Sequence, residues 1–203
     1  MPSKTFFNLK PHKKQMIIDS AIDEFNLFTL KGAKVVRIIK RVNISRASFY
    51  KYFECIDELY YYILEKVAEK VIDDFKRIII DNNGEFFLSV HDLFIDYITR
   101  PGKYTDSISR IFSIDFSESY LYANRYMANL NKSVAEVFEL IDVNKVRLNN
   151  PEDILDLFNI VISMIDRIIT LIKVGHYTER DAIVVYKRRI NVIEFGLGIH
   201  NSN

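Results

Sequence analysis

AKVVRIIKRVNISRASFYKYF, residues 33–53, contains two short apolar-periodic segments joined by a link with room only for a tight turn. Val35, Val36, Ile38, Ile39 and Val42 make the first segment; Ala47, Phe49, Tyr50 and Phe53 make the second. With only Asn43, Ile44 and Ser45 between them, the spacing predicts a helix-turn-helix. Asn accepts the left-handed backbone that ends a helix, and Ser45 suits the N-cap of the next. The second helix is expected to bury Phe49 and Phe53 and to present Arg46, Ser48, Tyr50, Lys51 and Tyr52. Those side chains hydrogen-bond phosphates or base edges.

Charge is distributed to match. Residues 1–53 carry eleven Lys or Arg against three acids (Asp19, Asp23 and Glu24), so a net charge of +1 conceals a basic N-terminal end and an acidic remainder. A positive face attracts DNA through release of condensed counterions, whatever the base sequence. The alternative is a solvated basic face without a partner. Nearly half of the 203 residues are hydrophobic and only six are Gly and four Pro, which predicts an all-α protein with a sizeable core. One cysteine cannot form an internal disulfide. No apolar run of signal-peptide length opens the chain, and the richest apolar stretch, residues 154–174, is broken by Asp156, Asp166, Arg167 and Lys173. A cytoplasmic protein with no membrane partner is expected.

Outward from the central stretch, Pro11 opens a helix to about Phe28 that braces the helix-turn-helix, preceded by an arm whose Phe6, Phe7 and Leu9 are expected to pack back on that first helix. A long periodic segment follows from Asp57 to about Asp81 and ends at Asn82-Asn83-Gly84. Further helices are expected over residues 85–99, 105–115 and 118–142. The division expected is a DNA-binding domain, 1–54, and a helical ligand-binding and dimerisation domain, 55–203.

The last two helices form a distinct case. Pro151 opens a helix to about Val174 that is apolar nearly all round, and its neighbour starts with a capping-box-like Thr178 and Asp181. A helix with so little polar surface needs cover on more than one side. A second copy of the pair would supply it, making a homodimer through a four-helix arrangement across Phe158, Val161, Ile165, Ile168, Ile169, Tyr186, Ile190 and Ile193. A wholly internal hairpin is the alternative.

The run AKVVRIIKRVNISRASFYKYFECIDEL, residues 33–59, resembles without a gap the head of the TetR (tetracycline repressor) family of bacterial transcription regulators. Ile38 stands as the family's buried Ile, Ser45 as its turn Ser, Tyr50, Phe53 and Leu59 as its Tyr, Phe and Leu. The likeness covers about residues 10–64 and beyond that is one of layout. It implies that Ser45, Ser48, Tyr50 and Tyr52 hold phosphates, that Arg46, Ala47 and Lys51 reach bases or the groove, and that Lys34 and Arg37 add backbone contacts. Departures from the pattern are Asn43 and Ala47 where Gly is usual, Ala33-Lys34 in place of a Thr, and Cys55-Ile56 in place of the Ser-Lys that clamps a phosphate.

The family's central helices enclose a ligand cavity, which makes Phe94, Tyr97, Phe112, Phe116, Tyr120 and Tyr126 candidate lining for a small apolar or aromatic effector. Ordinary core packing is the alternative for each. No enzyme, metal or cofactor constellation stands out: the four His are far apart, and none pairs with Cys, His or carboxylate at metal spacing. Cys55 at a helix start is either a redox switch or a small residue replacing Ser. The function implied is a ligand-responsive repressor that binds palindromic operator DNA as a dimer. The alternative is a helical protein-interaction module whose head has weak or no DNA binding, motivated by Cys55-Ile56.

Overall fold

The computed structural model describes residues 1–100, 128–129, 132–133, 135–146 and 150–197. Among these residues the regular structure is helical with no strand, no helix is long and apolar enough to cross a membrane, and no group of His, Cys, Asp or Glu is placed to hold a metal ion. The chain divides into two compact units, one holding Met1–Ala68 and the other residues 69–100 and 132–197.

In the first unit the helices are α1 (Lys4–Phe7), α2 (Pro11–Leu27), α3 (Val35–Arg41), α4 (Arg46–Tyr52) and the opening of α5 (Ile56–Asp81). Pro11 occupies the first turn of α2, where its missing N–H costs nothing. One face of α2 buries Ile17, Ile18, Ala21, Ile22 and Phe25, and Phe25 meets Tyr60 of α5 edge-on at 4.9 Å. Ile38 and Ile39 of α3, Phe49 of α4 and Leu59, Tyr61 and Ile63 of α5 complete this core. At the start of α5 the Cys55 thiol takes the place expected of a serine cap, accepting the Glu58 N–H at 3.5 Å. The buried Glu58 carboxylate in turn accepts the Glu54 N–H at 2.7 Å.

The arm departs from expectation. It forms α1, capped by Ser3; its Phe6 is fully buried against Tyr52, Phe53 and Tyr62, while the more exposed Phe7 meets α2, where the Lys14 Nζ donates to its carbonyl at 3.3 Å. Tyr52 is consequently 7% exposed, not outward-facing: it sits on the side of α4 that α1 covers. A seven-residue helix has no self-sufficient buried face, so a segment distant in sequence decided which aromatic went inside.

The second unit starts within α5, whose Val71, Ile72, Phe75 and Ile79 are buried. The turn into α6 (Phe86–Thr99) uses Asn83 and Gly84 at positive φ. Gly84 lies where the 142 backbone presses closest: its carbonyl accepts the Asp142 N–H at 2.9 Å, and a Cβ there would fall 2.7 Å from that nitrogen. The terminal pair is α7 (Pro151–Lys173) and α8 (Glu179–Leu197). Asn150 and Asp153 form a full capping box, as do Thr178 and Asp181. Gly175, at φ 73°, ends α7. The helix expected over 105–115 lies outside the described residues, and of that over 118–142 residues 128–129, 132–133 and 135–138 are described and helical.

Packing within the single chain already covers one apolar face of α7. Ile154, Leu157, Phe158, Val161, Ile162, Ile165, Ile168 and Ile169 are buried, as are Tyr186 and Ile190 of α8. Tyr186 stacks on Phe94 at 3.9 Å and Phe158 meets Phe75 at 5.5 Å. Seven of the eight residues expected to face a second copy are therefore core of the single chain, and Ile193 is half-buried. The apolar residues left outside are Ile160 and Val174 of this hairpin's first arm and turn, and Val184, Val192 and Phe195 of α8, the last 77% exposed.

Candidate nucleic-acid interface

The helix-turn-helix is held in place from α2. Glu24 is fully buried, and its carboxylate accepts the Lys34 N–H at 2.9 Å and the Arg37 Nε–H at 2.7 Å, while Arg41 lies 3.2 Å from its other oxygen. Burial by itself pushes this carboxyl's pKa up. The hydrogen bonds from Arg37 and Lys34 and the charges of Arg37 and Arg41 outweigh it and hold the pKa below the usual carboxylate range. One acid thus fixes the first turn of α3 and neutralises two of its arginines. Arg37 also donates to the Gly32 carbonyl at 2.7 Å and stacks on Phe28 at 3.9 Å. With these partners its role in the structure is to tie the head together. Lys34 bonds Glu24 through its backbone only and its side chain is exposed.

The turn follows the expected chemistry. Asn43 adopts φ 51°, and the Ile44 N–H donates to the Ile39 carbonyl at 3.1 Å. Ser45 caps α4, accepting the Ser48 N–H at 3.0 Å, and the two hydroxyls lie 2.9 Å apart. Beyond the cap, Phe49 is buried and Arg46, Ala47, Tyr50 and Lys51 are exposed, Tyr50 by 46%. The Arg46 guanidinium donates to the Tyr50 hydroxyl at 3.3 Å and lies 5.6 Å from its ring. A pair on one helix face at spacing four restricts both side chains before any ligand arrives. The surface offered is a cation, an aromatic hydroxyl, a second cation and a small methyl on one short helix, with hydroxyls at its N-terminus. That set can donate to phosphates and to purine acceptors in a major groove.

Of the six aromatics singled out for an effector, Phe94 and Tyr97 are buried in the second unit; Phe112, Phe116, Tyr120 and Tyr126 lie outside the described residues. Phe94 is committed to its stack on Tyr186. Tyr97 donates to Asp74 at 3.5 Å, and burial followed by the Asp74 charge raises the phenol's pKa well above its ordinary value. Glu24 and Ser3 are structural determinants of the head that no motif in the sequence singles out, and Phe6, expected to pack, does so on partners other than those expected. Glu24 had a signal: it follows Ser20 and Ala21 on the buried face of α2, where a carboxylate requires partners. Ser3 had none, and Phe6 signalled only that it needs cover, because their partners are some fifty residues away.

A three-helix head with a helix-turn-helix, followed by a helical body that ends in an antiparallel pair, is an architecture in which the second helix of the motif can enter a major groove. Residues 111–197 match the family model described as tetracyclin repressor-like, C-terminal domain. A TetR-family transcriptional regulator of Chloroflexus aurantiacus is 18% identical over 98% of this chain and all of its own, with a TM-score of 0.55. FadR of Bacillus subtilis, solved with stearoyl-CoA, is 13% identical over 92% and 99% of the two chains, with a TM-score of 0.65. The fatty acid degradation regulator FadR of Bacillus halodurans is 14% identical over 90% and 98%, with a TM-score of 0.63. No curated protein sequence matches. Residues 111–197 are thus similar in sequence to the C-terminal domain of tetracyclin repressor-like proteins, and the fold is similar to that of TetR-family transcriptional regulators.

Proposed function

We propose that this chain represses transcription as a homodimer, laying α4 of each protomer in a major groove of a palindromic operator. The observation that carries the reading is α4 itself, a capped helix with Arg46 and Tyr50 paired on its exposed side, Lys51 beside them, in an N-terminal end with eleven cations against three acids. Residues 1–54 act as the DNA-binding domain and 55–203 as the effector and dimerisation domain. Lys34, Ser45, Ser48 and Tyr50 hold phosphates; Arg46, Ala47 and Lys51 meet bases or groove. Arg37 and Tyr52 act from within the head by orienting α3 and α4.

The second copy covers the apolar side chains left outside on the terminal pair, Ile160, Val184, Val192 and Phe195, and a two-fold partner supplies the second reading helix that a palindrome requires. The effector is a small apolar or aromatic molecule taken up by the aromatic-rich middle of the second domain. Support comes from the aromatics at Phe94, Tyr97, Phe112, Phe116, Tyr120 and Tyr126, and from the stearoyl-CoA bound to the FadR of Bacillus subtilis. By preferring a separation of the two heads unsuited to the operator, the effector lowers DNA affinity by its own difference in affinity for the two states.

The test is fluorescence anisotropy of the full chain on duplexes selected from a random pool, against a scrambled duplex of equal composition, at several salt concentrations. A preferred duplex with a steep salt slope is expected. Arg46→Ala should cost about 1–3 kcal/mol on that duplex and relax the preference at one position, whereas Lys34→Ala at a phosphate reduces the salt slope by about one. Equal, weak binding to every duplex defeats the proposal and favours a protein-interaction module.

A further inference from the structure

A helix of seven residues has more backbone groups without intrahelical partners than with them. In α4 the last two carbonyls are taken by one residue of the arm. The Ser3 hydroxyl donates to the Lys51 carbonyl at 2.6 Å, and the Ser3 N–H donates to the Tyr52 carbonyl at 2.9 Å. The same hydroxyl oxygen accepts the Phe6 N–H at 3.3 Å, so the residue that caps α1 also closes the far end of α4. One turn on, Phe6 is fully buried, with ring centroids 6.3 Å from Tyr52, 4.7 Å from Phe53 and 5.5 Å from Tyr62. Tyr52 belongs to α4, Tyr62 to α5, and Phe53 to the link between them. The arm therefore bridges the end of the exposed helix and the helix that follows, by two hydrogen bonds and one aromatic plug.

We infer that residues 3–6 are a clasp that sets the pitch of α4 on α5, making Ser3 and Phe6 positioning residues for base reading. The inference rests on the reading of α4 as the DNA-contacting helix and adds to it a specificity determinant outside the helix-turn-helix. Reading bases and binding phosphates have different tolerances. A bidentate contact to a base edge fails when the helix tips by a fraction of an ångström, whereas attraction to the phosphate backbone is nearly indifferent to such a shift. Loosening the clasp should therefore reduce the difference between preferred and scrambled DNA and leave the shared electrostatic part in place.

The experiment compares wild type, Ser3→Ala and Ser3→Thr, all as the full chain, with Phe6→Leu as a second route to the same joint. Two readouts are taken: affinity for the preferred and scrambled duplexes across salt, and amide hydrogen exchange over residues 46–53 without DNA. Ser3→Ala is expected to lower affinity for the preferred duplex about five- to tenfold, as loss of one to two hydrogen bonds implies. Scrambled-duplex affinity and salt slope stay as in wild type, exchange over 46–53 accelerates, and Ser3→Thr, which keeps the hydroxyl, restores both. Phe6→Leu reproduces the pattern if it folds. Unchanged exchange in Ser3→Ala overturns the clasp. Faster exchange with undiminished preference, or an equal loss on both duplexes, overturns the positioning role while the wild-type preference stands. A wild type that prefers no duplex defeats the DNA-reading proposal itself, and this inference with it.

Discussion

The helix-turn-helix and the terminal pair α7–α8 are both read from apolar periodicity, yet they reward that reading differently. In the head, the turn at Asn43, the cap at Ser45 and the burial of Ile38, Phe49 and Phe53 stand where the spacing puts them. In the terminal pair the helices and both capping boxes also form, but the apolar face expected to meet a second copy, Phe158 through Ile169 with Tyr186 and Ile190, is the core of the single chain. Periodicity identifies a face that must be covered; it carries no information about which surface covers it. Turn and cap chemistry act over three or four residues and have no such ambiguity.

The contrast is sharpest under substitution. Ile165→Glu, directed at the buried face, should leave the chain unfolded or cost more than about 4 kcal/mol, because an unpaired charge enters the core. Val184→Glu or Val192→Glu, on the exposed side of α8, should preserve helix content and thermal stability and yield monomers by sedimentation velocity. A folded monomer from Ile165→Glu would return the interface to the inner face.

In the head, Glu24→Gln probes the buried acid that holds α3. Removing its charge leaves Arg37 and Arg41 without their counter-ion, with an expected cost of about 3 kcal/mol in urea unfolding. Since the folded carboxyl's pKa is depressed, its contribution is present above the ordinary carboxylate range and is lost as pH falls through the lower folded value. Wild type and variant should therefore converge in acid. An equal gap at every pH would mean that the shape of the side chain, not its charge, holds α3.

A smaller effect of opposite sign is expected on α7. Burial pushes Asp166 up to about 6, and its Oδ1 has no hydrogen-bond partner among the described residues. With the folded pKa above the unfolded one, stability falls as pH rises between about 4 and 6 and stays lower above that window. Asp166→Asn should gain about 1 kcal/mol at neutral pH, after allowance for partial screening by solvent, and nothing below pH 4. Loss of stability at neutral pH in this variant would show that the ionised carboxylate has a partner.

Much of the head was legible because its determinants are local: Pro11 at a helix start, Asn43 in the left-handed region, Ser45 beneath Ser48, alternation of buried and exposed positions on α4. Ser3, the partners of Phe6 and the inward turn of Tyr52 were not legible, since these groups are brought together only when residue 3 meets residue 51. Glu24 lay between these cases, an acid on an apolar face whose need for partners could be read and whose partners could not.

Amino-acid order by itself determined where α2 through α6 and the terminal pair α7–α8 lie, where they turn and cap, and that one short basic helix stands ready with Arg46, Tyr50 and Lys51. Those outcomes depend on backbone geometry and side-chain reach within a turn or two. Tertiary structure alone decided that α1 closes the end of α4, that Arg37 serves Glu24, and that the inner face of α7 is core. Each of these depends on which of several chemically equivalent apolar or ionic partners comes within reach, and reach between distant segments is a property of the folded chain.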